Sequence, residues 1–167
     1  MIDLIVVSGG FLSWPGGQVR AALGKGGLSM VKREGDGATP IGNFLLRCLW
    51  YRPDRLPRPK TALPIFEITG DSGWSDDPAD PRYNQAVKLP HAAGHERLWR
   101  DDELYDLVVP LGYNDDPPVA GLGSAIFLHC ARPDYGPTEG CVAVARQALL
   151  TLLADFGPTT RIQIAEE

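Results

Sequence analysis

The chain has 167 residues, 44% of them apolar and 22% charged, with a net charge of −5. That length buries a real core in one domain, the acidic balance argues against a nucleic-acid partner, and no apolar run reaches the ~18 residues that cross a membrane. Three cysteines, Cys48, Cys130 and Cys141, are odd in number and form no Cys-x-x-Cys pair; this argues against a disulfide framework and a zinc knuckle and leaves at least one free thiol.

In chain order, "MIDLIVVSGG" reads as a first strand over 3–8. Its apolar run is shorter than the roughly 7–15 residues of a signal-peptide core, and Asp3 stands where a basic residue is expected there. The stretch "GDGATPIG" lacks the Gly-Lys-Ser/Thr ending of a phosphate loop, and its Asp36-Gly37 pair reads as a hairpin turn. Branched and aromatic residues predict strands over 43–50, 64–69, 104–111 and 124–130. Residues 70–100 are polar and proline-bearing and, like the region around 117, read as long loops laid over the scaffold. Within "HAAGHERLWRDD", His91, His95, Glu96, Arg97 and Trp99 are concentrated; the segment reads as surface packing or as a lid whose His95 serves the site. The pairs Asp76-Asp77, Asp101-Asp102 and Asp115-Asp116 lack the spacing of a calcium loop and read as turns, so no metal is expected.

One helix is predicted immediately after Cys141. In "CVAVARQALLTLLADFGP", Val142, Ala145, Leu149, Leu153 and Phe156 follow 3–4 spacing, and Gly157-Pro158 is a stop signal. "TRIQIA" alternates and closes the chain as a strand. The expected fold is one mostly-β domain over 1–167, with one principal helix near the C-terminus.

The chemistry concentrates in "FLHCARPDYGPTEGCVAVA", residues 127–145. A cysteine at a helix start meets unpaired N–H groups and the positive end of the dipole, which favour a thiolate. Gly140 permits close backbone approach, and N–H groups of Gly140 and Cys141 are candidate oxyanion donors. Strand alternation places Ile126, Leu128 and Cys130 on one face and Phe127 and His129 on the other. Cys130 therefore reads as a small core residue, Cys141 as the reactive thiol and His129 as its base. A lone cysteine or a lone strand histidine is ordinarily structural; the pair, joined by a glycine-bearing turn, is what points to catalysis.

The same residues carry a resemblance. "IFLHCARPDYGPTEGCVAVA" resembles the active-site segment of the L,D-transpeptidase catalytic domain family (YkuD-type), whose pattern is a histidine, a variable turn, then Ser/Thr-His-Gly-Cys, an aliphatic residue and often an arginine. "KREGDGATPIGNFLL", residues 32–46, resembles its Thr-Pro-x-Gly-x-Phe segment. Glu139 stands in place of the motif histidine and Ala143 in place of the arginine.

The resemblance implies a YkuD-type β-sandwich with one main helix after the catalytic cysteine and long surface loops. It also implies a peptidoglycan L,D-transpeptidase, in which Cys141 attacks an L-D peptide bond of a stem peptide. The thioester then passes to an acceptor amine, making a 3-3 or 1-3 crosslink. The alternatives are an L,D-carboxypeptidase using water, or a degenerate wall-binding module. His129 would be oriented by the backbone carbonyl of Cys130. Arg132, Glu139, Tyr135, His95 and Thr138 are the candidate substrate-binding residues. No cofactor, nucleic acid or membrane span is expected, and the protein is expected to be a monomer in the periplasm or cell envelope that carbapenems acylate.

Overall fold

The computed structural model describes residues 1–167. The first strand, β1 (Leu4–Ser8), turns through Gly9 and Gly10 into β2 (Phe11–Trp14), which turns again into β3 (Gly17–Ala22). This double hairpin was not predicted from the sequence: its strands are short and half exposed, so little alternation shows. β4 (Leu28–Ser29) and β5 (Thr39–Pro40) then pair in parallel. The Asp36-Gly37 turn between them is therefore part of a longer loop and not a hairpin, correcting the expectation.

The predicted strand over 43–50 is two strands, β6 (Gly42–Leu45) and β7 (Leu49–Tyr51). The reason is a corner. Leu46 N–H donates to Thr160 O at 3.0 Å and Arg47 N–H to Pro110 O at 3.0 Å, so the chain changes partners between neighbouring residues. β8 (Ile65–Glu67) follows in parallel with β7.

Residues 70–100 are not only loops. They carry β9 (Ser72–Ser75), β10 (Ala86–Lys88) and β11 (His95–Arg97), a three-stranded antiparallel sheet with β9 in the middle. β12 (Leu107–Pro110) starts later than predicted because residues 104–106 turn: Asp102 accepts the Leu104 N–H and Asp106 N–H donates to Glu103 O. β13 (Phe127–Cys130) also starts late, because Ala125 takes φ 53°, with its N–H held by Asn84 Oδ1 at 3.0 Å.

Cys141 does not open a helix. Val142–Val144 form β14, a strand between β13 (parallel) and β3 (antiparallel), and the helix α1 runs only over Arg146–Leu153. The branched valines suit a central buried strand, and the 3–4 spacing begins in earnest at Leu149, with Leu149, Leu152 and Leu153 buried. β15 (Arg161–Ile164) closes the chain beside β1 in parallel.

The ten-stranded sheet runs β6-β15-β1-β2-β3-β14-β13-β12-β7-β8. It curls so that its two halves face each other, joined through the Leu46 corner and the Leu46–Leu111 bridge. The main core fills the space between: Ile5, Val7, Leu12 and Ile162 from one half meet Tyr51, Val109, Leu128 and Val142 from the other, with Leu149 and Phe156 beside them. The fold is mostly β with one helix and a curled, sandwich-like sheet, as the sequence implied. A second cluster lies on the outer face of β12 and β13, where Val108 and Phe127 pack with Ile68, Leu98 and Tyr105 under the three-stranded sheet. Trp74 of β9 meets the Phe127 ring edge-on at 5.1 Å.

Candidate active site

Alternation along β13 sorts the residues. Leu128 and Cys130 enter the main core, while Phe127 belongs to the outer cluster that also contains Cys141. His129, on the same face as Phe127, is 5% exposed and meets the Tyr105 ring at 5.2 Å. Its Nδ1 lies 2.9 Å from the Cys130 carbonyl oxygen. A carbonyl only accepts, so Nδ1 carries the proton and Nε2 keeps the basic lone pair. Burial lowers the His129 pKa to about 4, against the opposing pull of the Cys130 carbonyl, so the ring is neutral at neutral pH.

The Cys141 thiol is also buried and neutral. Its Sγ donates to Ala125 O at 3.2 Å and accepts from the Phe127 N–H at 3.3 Å. Burial pushes the thiol up to about 12; the Glu96 charge adds to this, while the Phe127 N–H and Lys32 oppose it. Activation by a helix N-terminus does not operate, because β14 separates the thiol from α1.

The turn before Cys141 is held by Thr138. Its Oγ1 donates to Cys141 O at 2.7 Å and accepts the Gly140 N–H at 3.1 Å. Its backbone is pinned to Leu23 O and the Lys25 N–H. Gly140 takes φ +137°, and a Cβ there would stand 2.8 Å from Ala38 O. The Gly140 N–H is thus already engaged, whereas the Cys141 N–H makes no hydrogen bond within the protein.

Cys141 and His129 open into one cleft of about 400 Å³. Thr138, Glu139 and Arg132 also line it. Glu139 is exposed and paired with Lys25 at 2.9 Å, and Arg132 is exposed at the mouth without an ion pair. Four of the predicted residues are not among the lining: Cys130 in the main core, Gly140 buried in the turn, and Tyr135 and His95. Tyr135 packs under the Arg20 guanidinium at 4.6 Å. His95 lies beside Glu96 on β11, and alternation turns it away; its Nδ1 is 2.8 Å from Ala93 O. His91 is taken up by Asp80 at 2.6 Å, and no group of three or more potential ligands is placed to hold a metal.

Several cleft residues escaped the sequence reading: Lys32, Glu34, Asp76, Arg100, Tyr105 and Ser124. Glu96 was noted only as part of a charged stretch, yet it lines the cleft and accepts from Tyr105 OH at 3.0 Å. Burial raises the Glu96 carboxyl, with the Tyr105 bond opposing and the Asp76 charge adding; burial and the Glu34 charge raise Asp76. The signal for Lys32 and Glu34 was their place in "KREGDGATPIG"; Asp76 was visible only as half of the Asp76-Asp77 pair, which reads as a turn. The cleft therefore joins a thiol, an imidazole and a free backbone N–H with acidic groups on one wall and Arg100 and Arg132 elsewhere. Such a set suits acyl transfer at a thiol on a substrate that carries both amine and carboxylate groups.

The family model YkuD, described as the L,D-transpeptidase catalytic domain, matches residues 4–164. No curated protein matches significantly. Among solved structures, a crystal structure of Mycobacterium tuberculosis L,D-transpeptidase 1 aligns over 97% of this chain at 12% identity and a TM-score of 0.44. The chain covers 58% of that protein's length.

Proposed function

The chain belongs to the YkuD family of L,D-transpeptidase catalytic domains, and on that premise we propose that residues 1–167 form one domain that crosslinks peptidoglycan stem peptides through a thioester on Cys141. The observation that carries this reading is the meeting of Cys141 and His129 in one cleft, with His129 Nδ1 on the Cys130 carbonyl and Nε2 left basic.

The steps follow from the two neutral groups. The thiol leaves its bond to Ala125 O and passes its proton to His129 Nε2. Sγ attacks the carbonyl of the L-D bond, and the oxyanion takes the free Cys141 N–H. Collapse expels the D-residue's amine, which takes the proton from His129 and leaves an acyl thioester. An acceptor amine then attacks, gives its proton back to His129 and releases Cys141 as a thiol. The Phe127 N–H on Sγ favours the thiolate transiently. Arg132 at the mouth suits a substrate carboxylate and Glu139 an amine, while Thr138 holds the turn that presents Cys141. Tyr135 and His95 lie outside the cleft lining and take no part in these steps. The chemistry draws on no cofactor, and the proposed setting is the cell envelope, with the protein as a monomer.

Incubation with purified disaccharide tetrapeptides, followed by mass spectrometry, tests this. Dimers are expected, and fragmentation distinguishes 3-3 from 1-3 linkage. Tripeptides alone would mean hydrolysis with water as acceptor. Unchanged substrate would refute both.

A further inference from the structure

The thiol and its turn have an electrostatic gap. Gly140 N–H, one of two expected oxyanion donors, is spent on Thr138 Oγ1. Residue 143, where the resembled motif often has arginine, is alanine, buried in β14 at 1% exposure. The oxyanion that develops beside Cys141 therefore has only the Cys141 N–H and needs another donor.

Lys32 is placed to supply it. It is 5% exposed, which is uncommon for a lysine. Its stem passes between two glycines whose missing side chains make the room. A Cβ on Gly123 would stand 2.8 Å from Lys32 Cε, and one on Gly140 would stand 3.4 Å from Lys32 Nζ. Both glycines take positive φ, +115° and +137°, so alanine is disfavoured twice over. The ammonium donates to Asp36 Oδ1 at 2.8 Å and reaches Arg33 O at 3.5 Å, which leaves one N–H for the cleft. Asp36 is fixed in turn by the N–H groups of Arg33 and Ala38. Burial would raise its carboxyl, but Lys32 and these N–H groups outweigh that and hold it below the ordinary value, so the carboxylate stays charged and anchors the lysine.

We propose that Lys32 is a catalytic group of this site: its buried ammonium completes the oxyanion pocket beside the Cys141 N–H and favours charge on the thiol and on the tetrahedral intermediate. The stretch 32–37 thereby has a role: Asp36 aims the ammonium, and Gly123 and Gly140 admit it. The inference rests on Cys141 being the nucleophile. Other charged or titratable groups that bear on the thiol are His129 of β13, Glu96 of β11 and Tyr105 before β12; all three stay unchanged in the test.

The test uses the full chain with Cys48 and Cys130 replaced by alanine, so that Cys141 is the one thiol. Iodoacetamide labelling at pH 8 and steady-state turnover are compared in the parent, Lys32→Gln and Lys32→Arg. The Lys32 charge favours the Cys141 thiolate, and losing a nearby opposite charge costs about one pH unit of ionisation, so Lys32→Gln should label about tenfold more slowly. Its kcat should fall about 10²–10³-fold, as for loss of one oxyanion donor, with KM little changed. Lys32→Arg should restore the labelling rate. A purely structural lysine would lower melting temperature in Lys32→Gln and leave the labelling rate of the folded fraction untouched, which overturns the proposal. If Lys32→Gln does not fold, the apolar isostere Lys32→Met replaces it in the same two assays, and a parent-like labelling rate and kcat in the folded protein overturn the proposal. Failure of the underlying reading is separate, because it shows as turnover that survives in Cys141→Ala.

Discussion

Replacing Gly140 by alanine should damage stability and turnover together, and the structure sets the size of both. At φ +137° an L side chain is strained, and the added Cβ would meet Ala38 O at 2.8 Å, closer than such contacts allow. The obstacle is backbone and cannot swing away. Ala38 N–H is tied to Asp36 Oδ1, and the next residue, Thr39, is held by Gly27 O and the Gly24 N–H. Strain of this kind costs about 1–3 kcal/mol, which lowers the melting temperature by about 2–12 °C in a domain of this size. The turn must also retreat by a few tenths of an ångström or more, taking the Cys141 N–H and thiol with it. A misplacement near 1 Å costs on the order of 10²-fold in rate. The control is Gly10→Ala, which also has a positive φ (+77°) but open space around it; it should lose stability and keep turnover. Calorimetry and dimer formation from tetrapeptide substrate measure the two effects. A Gly140→Ala protein that melts within a degree of the parent and crosslinks at the parent rate would show that the Ala38 carbonyl does not confine this turn.

Three further outcomes follow from the buried charges and thiols. Unfolded His129 binds a proton below its ordinary pKa of 6.5, while the folded ring waits until about 4; its contribution to stability is therefore complete above pH 6.5 and is lost as pH falls toward 4. The loss amounts to about 3 kcal/mol, and urea titrations across that window should show it in the parent and not in His129→Gln. At the alkaline end, burial pushes the thiols of Cys48, Cys130 and Cys141 up to about 11, 12 and 12. Stability should fall as pH rises past about 8.5, where the unfolded thiols ionise, and native iodoacetamide labelling at pH 8 should be far slower at all three than in the denatured chain. Asp106, with its side chain fully buried, joins Arg55 at 2.8 Å and Arg146 at 2.7 Å. Asp106→Asn should cost about 2–4 kcal/mol in urea unfolding, below the range for fully buried pairs because both arginines are partly exposed; a loss under about 0.5 kcal/mol would contradict this.

The strand faces near the site were legible because alternation is a local rule. Ile126, Leu128 and Cys130 fall in the main core, with Phe127 and His129 opposite, as parity predicts. What local rules miss is partner choice. Val142–Val144 read as the first turn of a helix because apolar spacing continued into Leu149; the neighbours β13 and β3, far away in sequence, make it a strand instead. The strand over 43–50 broke for the same reason, since Leu46 and Arg47 bond to residues 160 and 110. The three-stranded sheet was hidden because its strands are three or four residues long and polar. Of the cleft, the segment 129–141 was visible, but Glu34, Asp76 and Tyr105 arrive from three separate places in the chain, and only the folded chain brings them to His129 and Cys141.

Everything proposed for this cleft depends on Cys141 being the thiol that forms the acyl-enzyme. Intact-protein mass spectrometry after incubation with a carbapenem tests it directly. A single covalent adduct is expected on the parent, retained in Cys48→Ala and Cys130→Ala and lost in Cys141→Ala, even though native alkylation of the same thiol is slow. An adduct that survives in Cys141→Ala, or none on the folded parent, would contradict it.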